Sequence, residues 1–314
     1  MESDTVDTVN VETVNVETGN VETGNEVFVA RSSGTKVTKG TKGTKETRGG
    51  VEGSPRFSAP SLVFIVPYRD RQQQLAFFDK QMRKTVLEDM DPSSYSIYYV
   101  EQCDTRDFNR GAMKNIGFLA MKAKYPDDYK NITFVFNDID TMPYTANFLN
   151  YHTKPGVIKH FYGYTFTLGG IVSITGADFE KIMGYPNFWA WGYEDNLLQI
   201  RALAAKLTID RSQFYPIMDK NILQLKDGLE RVVNRKEFNR YAGNTSDGIL
   251  TIRDLVYEVD EAVSKINVTG FLTDTANMPN ANVMHDLRNG SRPFQAGEPR
   301  FPPRPPPFSV LRFV

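Results

Sequence analysis

Residues Phe134 to Pro143 read FVFNDIDTMP, an apolar run that ends in two aspartates flanking one isoleucine. With Ile132 and Thr133 in front, the run ITFVF is rich in β-branched and aromatic residues and reads as a core strand. Strand interiors disfavour Asp, so Asp138 and Asp140 at the strand's carboxyl edge admit two readings. One is a carboxylate pair that holds a cation or a sugar hydroxyl. The other is a strand followed by an Asx-type turn, where Asn and Asp are favoured residues.

Upstream of this stretch the pattern alternates strand and helix. SLVFIVPYRD (61–70) reads as a strand that runs into a polar loop, 72–86 as a helix, YSIYYVEQ (95–102) as a strand and 109–124 as a helix. Successive βα units predict an α/β fold with a mainly parallel, helix-covered sheet. In such sheets the ligand lies beyond the carboxyl ends of the strands. Polar groups gather at those ends: Arg69, Asp70 and Arg71; Gln102, Asp104 and Arg106; Asp138 and Asp140. That convergence favours a binding role for the aspartates over a plain turn.

The chain has 314 residues, 40% hydrophobic and 12% aromatic, enough for one large core or two ordinary ones. Lys and Arg number 37 against 38 Asp and Glu, so no global field recruits nucleic acid or an anionic membrane. An anionic ligand must be held locally. The lone Cys103 excludes an internal disulfide framework and reads as a small apolar residue. No stretch approaches the ~20 apolar residues of a membrane span. The start MESDTVDTVNVET lacks an apolar signal core, so sequons at Asn131, Asn244, Asn267 and Asn289 carry little weight.

Three parts are expected. Residues 1–58, with VNVET and GTK repeats in an acidic and then a basic block, read as a disordered tail. Residues 59–245 hold the α/β domain. Residues 246–314 form an extension that ends in the proline-rich, extended run FPPRPPPFSVLRFV.

Three further segments carry polar or glycine-rich signals. FNRGAMKNIGF (108–118) opens a helix with Asn and Arg, which present donors and a positive dipole end to an anion, or only cap the helix. TLGGIVSITGADF (167–179) places two glycines where backbone approaches a ligand or another strand, or marks a bulge. FWAWGYEDN (188–196) joins two indoles, a glycine and an acidic pair ahead of an apolar helix; its acids also suit a helix's first turn and its tryptophans a core.

In this order the segments resemble the β1,4-galactosyltransferase family, glycosyltransferase family 7. FIVPYRDR, DFNRGAMKNIGF, FNDID, LGGIVS and FWAWGYED stand in the family's order and at similar spacings, over roughly 62–241. The resemblance implies a GT-A, Rossmann-like fold and inverting transfer of a sugar from a UDP-sugar donor to a glycan or glycoprotein hydroxyl, assisted by Mn²⁺ or Mg²⁺. A strand-edge carboxylate holding such an ion neutralises a diphosphate leaving group. By similarity Asp140 is the metal ligand, and Asp138 contacts the ribose or orients the site. Pro67, Arg69, Phe108 and Arg110 match donor-contacting positions, as do Thr167, Gly169, Gly170 and Trp191. Asp195 matches the general base and Glu194 its acidic neighbour, and the acceptor lies along Gly192, Tyr193, Glu194, Asp195 and Asn196. Trp191 corresponds to a lid residue whose closure excludes water.

The chain also departs from the family. No histidine lies between His160 and His285, and the positions of the family's further metal ligands hold Asn221 and Gln224. Oxygen ligands there favour a hard ion. A tyrosine of galactose-specific members corresponds to Thr167, leaving room for N-acetylgalactosamine or another hexose. The family's third acidic residue after the lid is Asn196. Members normally sit in the Golgi lumen behind an anchor. Nothing similar precedes this domain, so a soluble enzyme, cytoplasmic or of viral or microbial kind, is the expectation. A catalytically silent sugar-nucleotide or glycan binder is the competing reading. A nucleotidyltransferase is disfavoured because VPYRDR carries no phosphate-loop glycine.

Overall fold

The computed structural model describes residues 58–225, 228–290 and 292–294. The expected disordered tail, apart from Ser58, and the proline-rich run lie outside the described residues. In chain order the first elements are β1 (Leu62–Tyr68), α1 (Gln72–Gln81), β2 (Tyr95–Gln102), α2 (Arg110–Lys124) and β3 (Thr133–Asn137). These follow the sequence reading closely, with a π-helical turn at Met82–Val86 closing the first helix. Next come β4 (Thr141–Pro143), β5 (Val157–Gly163), β6 (Ile171–Thr175), α3 (Gly176–Lys181), α4 (Glu194–Ala204), β7 (Thr208–Asp210), β8 (Tyr215–Pro216) and β9 (Ile222–Gln224). β10 (Glu230–Asn234), α5 (Arg235–Ala242), β11 (Arg253–Asp260), β12 (Lys265–Leu272) and β13 (Asn282–Asp286) complete the order.

Among the described residues nine strands form the central sheet, in the order β11-β12-β2-β1-β3-β6-β5-β7 with β8 beside β5. β1 lies at its centre, parallel to β2 and β3, and every one of its residues is buried, which is why LVFIVPY is a continuous apolar run. Its alternate residues feed two cores. Val63 and Ile65 pack with α2 residues such as Met113 and Phe118, while Leu62, Phe64 and Val66 pack with Phe78 and Met82. Pro67 lies beyond the last β1–β3 register pair, Ile65 with Phe136, where the missing N–H interrupts no ladder to β3.

One reversal in the sheet makes the cleft. β6 runs antiparallel to β3, so the carboxyl end of β3 meets the start of β6, with Asn137 opposite Ile171. The Asp138 N–H donates to the Gly170 carbonyl at 3.0 Å. The segments NDID and LGG, some thirty residues apart in sequence, thus lie side by side at the strand ends where a ligand is expected.

Beyond residue 246, β12 pairs in parallel with β2, and β11 pairs with β12, so these two strands form one flank of the central sheet. β13 pairs with β10, closing a small two-stranded sheet above the cleft. Among the described residues no helix is long and apolar enough to cross a membrane.

Candidate active site

A cleft of about 1510 Å³ opens at the carboxyl ends of β1 and β3. Pro67, Arg69, Phe108, Arg110, Asp138, Asp140, Thr167, Gly169, Gly170 and Gln224 line it, together with the continuous run Trp191, Gly192, Tyr193, Glu194, Asp195 and Asn196. Asn221 does not, because its side chain donates to Asp219 Oδ1 at 2.9 Å.

Asn109 caps α2 by accepting from the Ala112 N–H at 2.9 Å, and this aims the next residue, Arg110, into the cleft. There the guanidinium binds three carboxylates: Nε to Glu194 Oε1 at 2.6 Å, Nη1 to Asp138 Oδ2 at 2.9 Å and Nη2 to Asp195 Oδ2 at 2.6 Å. One turn further along α2, the buried Lys114 places Nζ 3.3 Å from Asp195 Oδ1 and 3.6 Å from Asp138 Oδ1. Arg69 serves a different end. Its fork donates to the carbonyls of Gln102, Asp104 and Arg106, so it fastens the loop after β2 while bordering the cleft.

The two aspartates respond differently to this shared charge. Burial works to raise the Asp138 carboxyl, but Arg110 and Lys114 outweigh it and hold the group below the ordinary carboxylate range. For Asp195 burial prevails: against the pull of Arg110 and Lys114, and with the push of Glu194 and Asp138, it rises to about 6. That is a value suited to a general base near neutral pH. Glu194 is buried and keeps Oε2 without a hydrogen-bond partner. A carboxylate oxygen there has acceptor capacity that the protein does not use.

Both glycines of LGG have packing reasons. A Cβ on Gly169 would stand 2.4 Å from Asp195 Oδ2, so its missing side chain is the space the carboxylate fills. Gly170 has φ +72° and faces the Tyr162 carbonyl, a place that only glycine takes without strain. The buried, neutral His160 steadies this backbone, with Nε2 3.0 Å from the Tyr162 carbonyl and 3.1 Å from that of Gly169, while Nδ1 accepts from Arg211 Nε at 3.0 Å.

The two tryptophans of FWAWGYED part company. Trp189 is core, stacked on Phe271 and donating Nε1–H to the Thr275 carbonyl at 2.7 Å. Trp191 is half-buried at the cleft, in a loop where Ala190, Gly192 and Tyr193 all have positive φ. Tyr193 stacks on Tyr241 and anchors that loop to α5.

Asp140 and Gln224 both line the cleft, and the pairing of β4 with β9 sets Gln224 opposite Thr141, the residue after Asp140. Gln224 Oε1 accepts from the Tyr162 hydroxyl at 2.6 Å. Among the described residues no group of three His, Cys, Asp or Glu is placed to hold a metal. One carboxylate and one amide oxygen fit a hard ion whose shell substrate phosphates and water complete; they do not fit an all-protein cage.

Lys114 and His160 escaped the sequence reading. Lys114 had one signal: it sits four residues after Arg110, on the same face of the helix. His160 had none, since one histidine in a strand reads as core.

Sheet order, strand-end cleft and acidic loop together define a domain of the GT-A glycosyltransferase class. Two family models match in succession: the N-terminal region of glycosyl transferase group 7 over residues 19–153 and the N-terminal domain of galactosyltransferase over 156–223. The chain belongs to this family, the β1,4-galactosyltransferases of glycosyltransferase group 7. It is 33% identical over 159 residues to a xylosylprotein 4-beta-galactosyltransferase of Caenorhabditis elegans, covering 48% of this chain and 53% of the relative. It is 29% identical over 226 residues to human beta-1,4-galactosyltransferase 6, covering 65% and 55%. The chain thus spans about half the length of the curated relatives it matches. The crystal structure of the catalytic domain of Drosophila β1,4-galactosyltransferase 7 with xylobiose superposes with a TM-score of 0.55 at 20% identity, over 69% of this chain and 96% of that one. A mutant of the same enzyme, in complex with manganese, UDP-Gal and xylobiose, superposes with 0.53 at 19%, over the same shares. At these identities the likeness shows the fold.

Proposed function

We propose that this chain is an inverting hexosyltransferase that moves galactose, or N-acetylgalactosamine, from a UDP-sugar to a glycan or glycoprotein hydroxyl with the help of Mn²⁺ or Mg²⁺. One observation carries the reading: Arg110 of the FNR segment joins Asp138 of NDID to Glu194 and Asp195 of the lid segment in a single cleft. Inversion by one displacement needs a base on the face opposite the leaving group, within hydrogen-bond reach of the attacking hydroxyl. Asp195 is that base. Glu194 Oε2 receives a neighbouring acceptor hydroxyl. Trp191, on its strained loop, covers the bound sugars and excludes water. Pro67, Phe108, Thr167 and Gly170 form the donor wall. A divalent ion held by Asp140 and Gln224 would neutralise the diphosphate as it departs.

One relative is named for a xylosylprotein acceptor, and the solved neighbour holds xylobiose, so a β-xyloside is the first acceptor to try. The test is UDP release from UDP-galactose, UDP-N-acetylgalactosamine and UDP-glucose, each with β-xyloside or β-N-acetylglucosaminide acceptors, with and without Mn²⁺. Acceptor-dependent, metal-stimulated release supports the reading. UDP binding without turnover for every pairing would leave a silent sugar-nucleotide binder.

A further inference from the structure

Arg110 and Lys114 share the same two aspartates in a fixed pattern. Arg110 takes Oδ2 of each, Asp138 at 2.9 Å and Asp195 at 2.6 Å, and stands at the cleft side with 22% of its side chain exposed. Lys114 takes Oδ1 of each, at 3.6 and 3.3 Å, and is sealed beneath them with 1% exposed. The lysine stem runs under the cleft floor, and its ammonium lies 4.4 Å from the centre of the buried Tyr185 ring. No anionic ligand in the cleft reaches it without first displacing the aspartates. The arginine, by contrast, faces the space where a diphosphate enters.

We propose that Lys114 is a positioning residue of the transfer reaction: from below the floor it holds Asp195 by Oδ1, turning Oδ2 toward the acceptor and supplying a counter-charge that stays when the donor engages Arg110. This rests on Asp195 being the base. The groups that face Asp195 are Arg110 and Lys114 from α2, Asp138 from the end of β3, the adjacent Glu194 and the phenol of Tyr185. With Arg110 engaged by phosphate, Lys114 is the cation left among three carboxylates. Without it the base holds its proton to higher pH.

The test compares the pH profile of turnover at saturating donor for the wild type, K114M and K114Q. Methionine keeps the buried volume and removes the charge; glutamine keeps a donor as well, and decides the matter if K114M does not fold. The expected result in both variants is an acid limb moved upward by about one unit or more, seen as a roughly tenfold loss on the acid side of the limb that is largely recovered at alkaline pH. A purely structural role would lower turnover evenly across pH. That outcome, or profiles matching the wild type, overturns the proposal. Asp195→Asn separates the two claims. If it leaves turnover intact, the base assignment fails and Lys114 falls with it; if it silences the enzyme while the Lys114 variants keep the wild-type limb, the lysine proposal alone fails.

Discussion

At the floor of the cleft Asp138, Glu194 and Asp195 meet two cations, and the carboxylate oxygens are paired within the protein except Glu194 Oε2 and Asp138 Oδ1, the latter only 3.6 Å from Lys114 Nζ. At the rim, two residues beyond Asp138, Asp140 and Gln224 stand with a single carboxylate between them and an amide already bonded to Tyr162. The floor is preorganised and partly desolvated, as a site must be where a proton is moved and charge develops. The rim leaves its coordination to be completed by what binds there. Variants at the floor should therefore change turnover with little effect on donor affinity, and variants at the rim should do the reverse.

The largest effect is expected at Asp195. Asp195→Asn keeps the size but cannot take a proton, so turnover should fall by roughly 10²–10⁴-fold with UDP affinity near normal. Steady-state kinetics beside calorimetric UDP titration checks both halves. Were Glu194→Gln to silence the enzyme and Asp195→Asn to spare it, the base would be Glu194.

Gly169→Ala attacks the same carboxylate without touching its chemistry. The new Cβ would lie 2.4 Å from Asp195 Oδ2 and 2.9 Å from its Cγ, so the side chain must shift. A displacement near 1 Å costs on the order of 10²-fold in rate. The variant should melt normally and bind UDP normally; retained turnover would mean that the position of Asp195 does not matter.

The floor should also titrate. As the proposed base Asp195 would act deprotonated, and its carboxyl is pushed up to about 6, so kcat/KM should fall as pH drops through that value, about tenfold per unit below it. A profile flat down to the ordinary carboxylate range would remove the desolvated base from the scheme.

At the rim, Asp140→Ala should abolish the Mn²⁺-dependent strengthening of UDP binding, a loss of about tenfold or more, equivalent to ~1.4 kcal/mol. Unchanged metal dependence would return NDID to a turn. The smallest effect is expected at Thr167. Thr167→Tyr narrows the space beside the sugar and should shift the ratio of UDP-galactose to UDP-N-acetylgalactosamine turnover roughly tenfold at most, since pocket-size discrimination is weak.

Much of this plan was legible in the residues. Continuous apolar runs bounded by polar turns identify β1 and β3, because a strand buried on both faces must be largely apolar. The order of the motifs along those units locates the cleft, because βα connectivity brings strand carboxyl ends to one edge. The flank made by β12 was less visible. KINVTGFL alternates as a half-buried strand does, yet its place beside β2 depends on pairing Ile266 with Val100, far away in the chain.

What the sequence determined by itself is therefore local: the period of burial, the caps and the order of chemical groups, each set by residues within a few positions of one another. Tertiary structure alone decided which tryptophan lines the cleft, that Asn221 turns to Asp219 while Gln224 stays beside Asp140, and that Gly169 makes room for Asp195. It also decided that Lys114, one helical turn from Arg110, lies beneath two carboxylates from distant segments. The reason is physical. A side chain's ionisation and reach depend on the desolvation and charge around it, and those neighbours come from segments that only the folded sheet brings together.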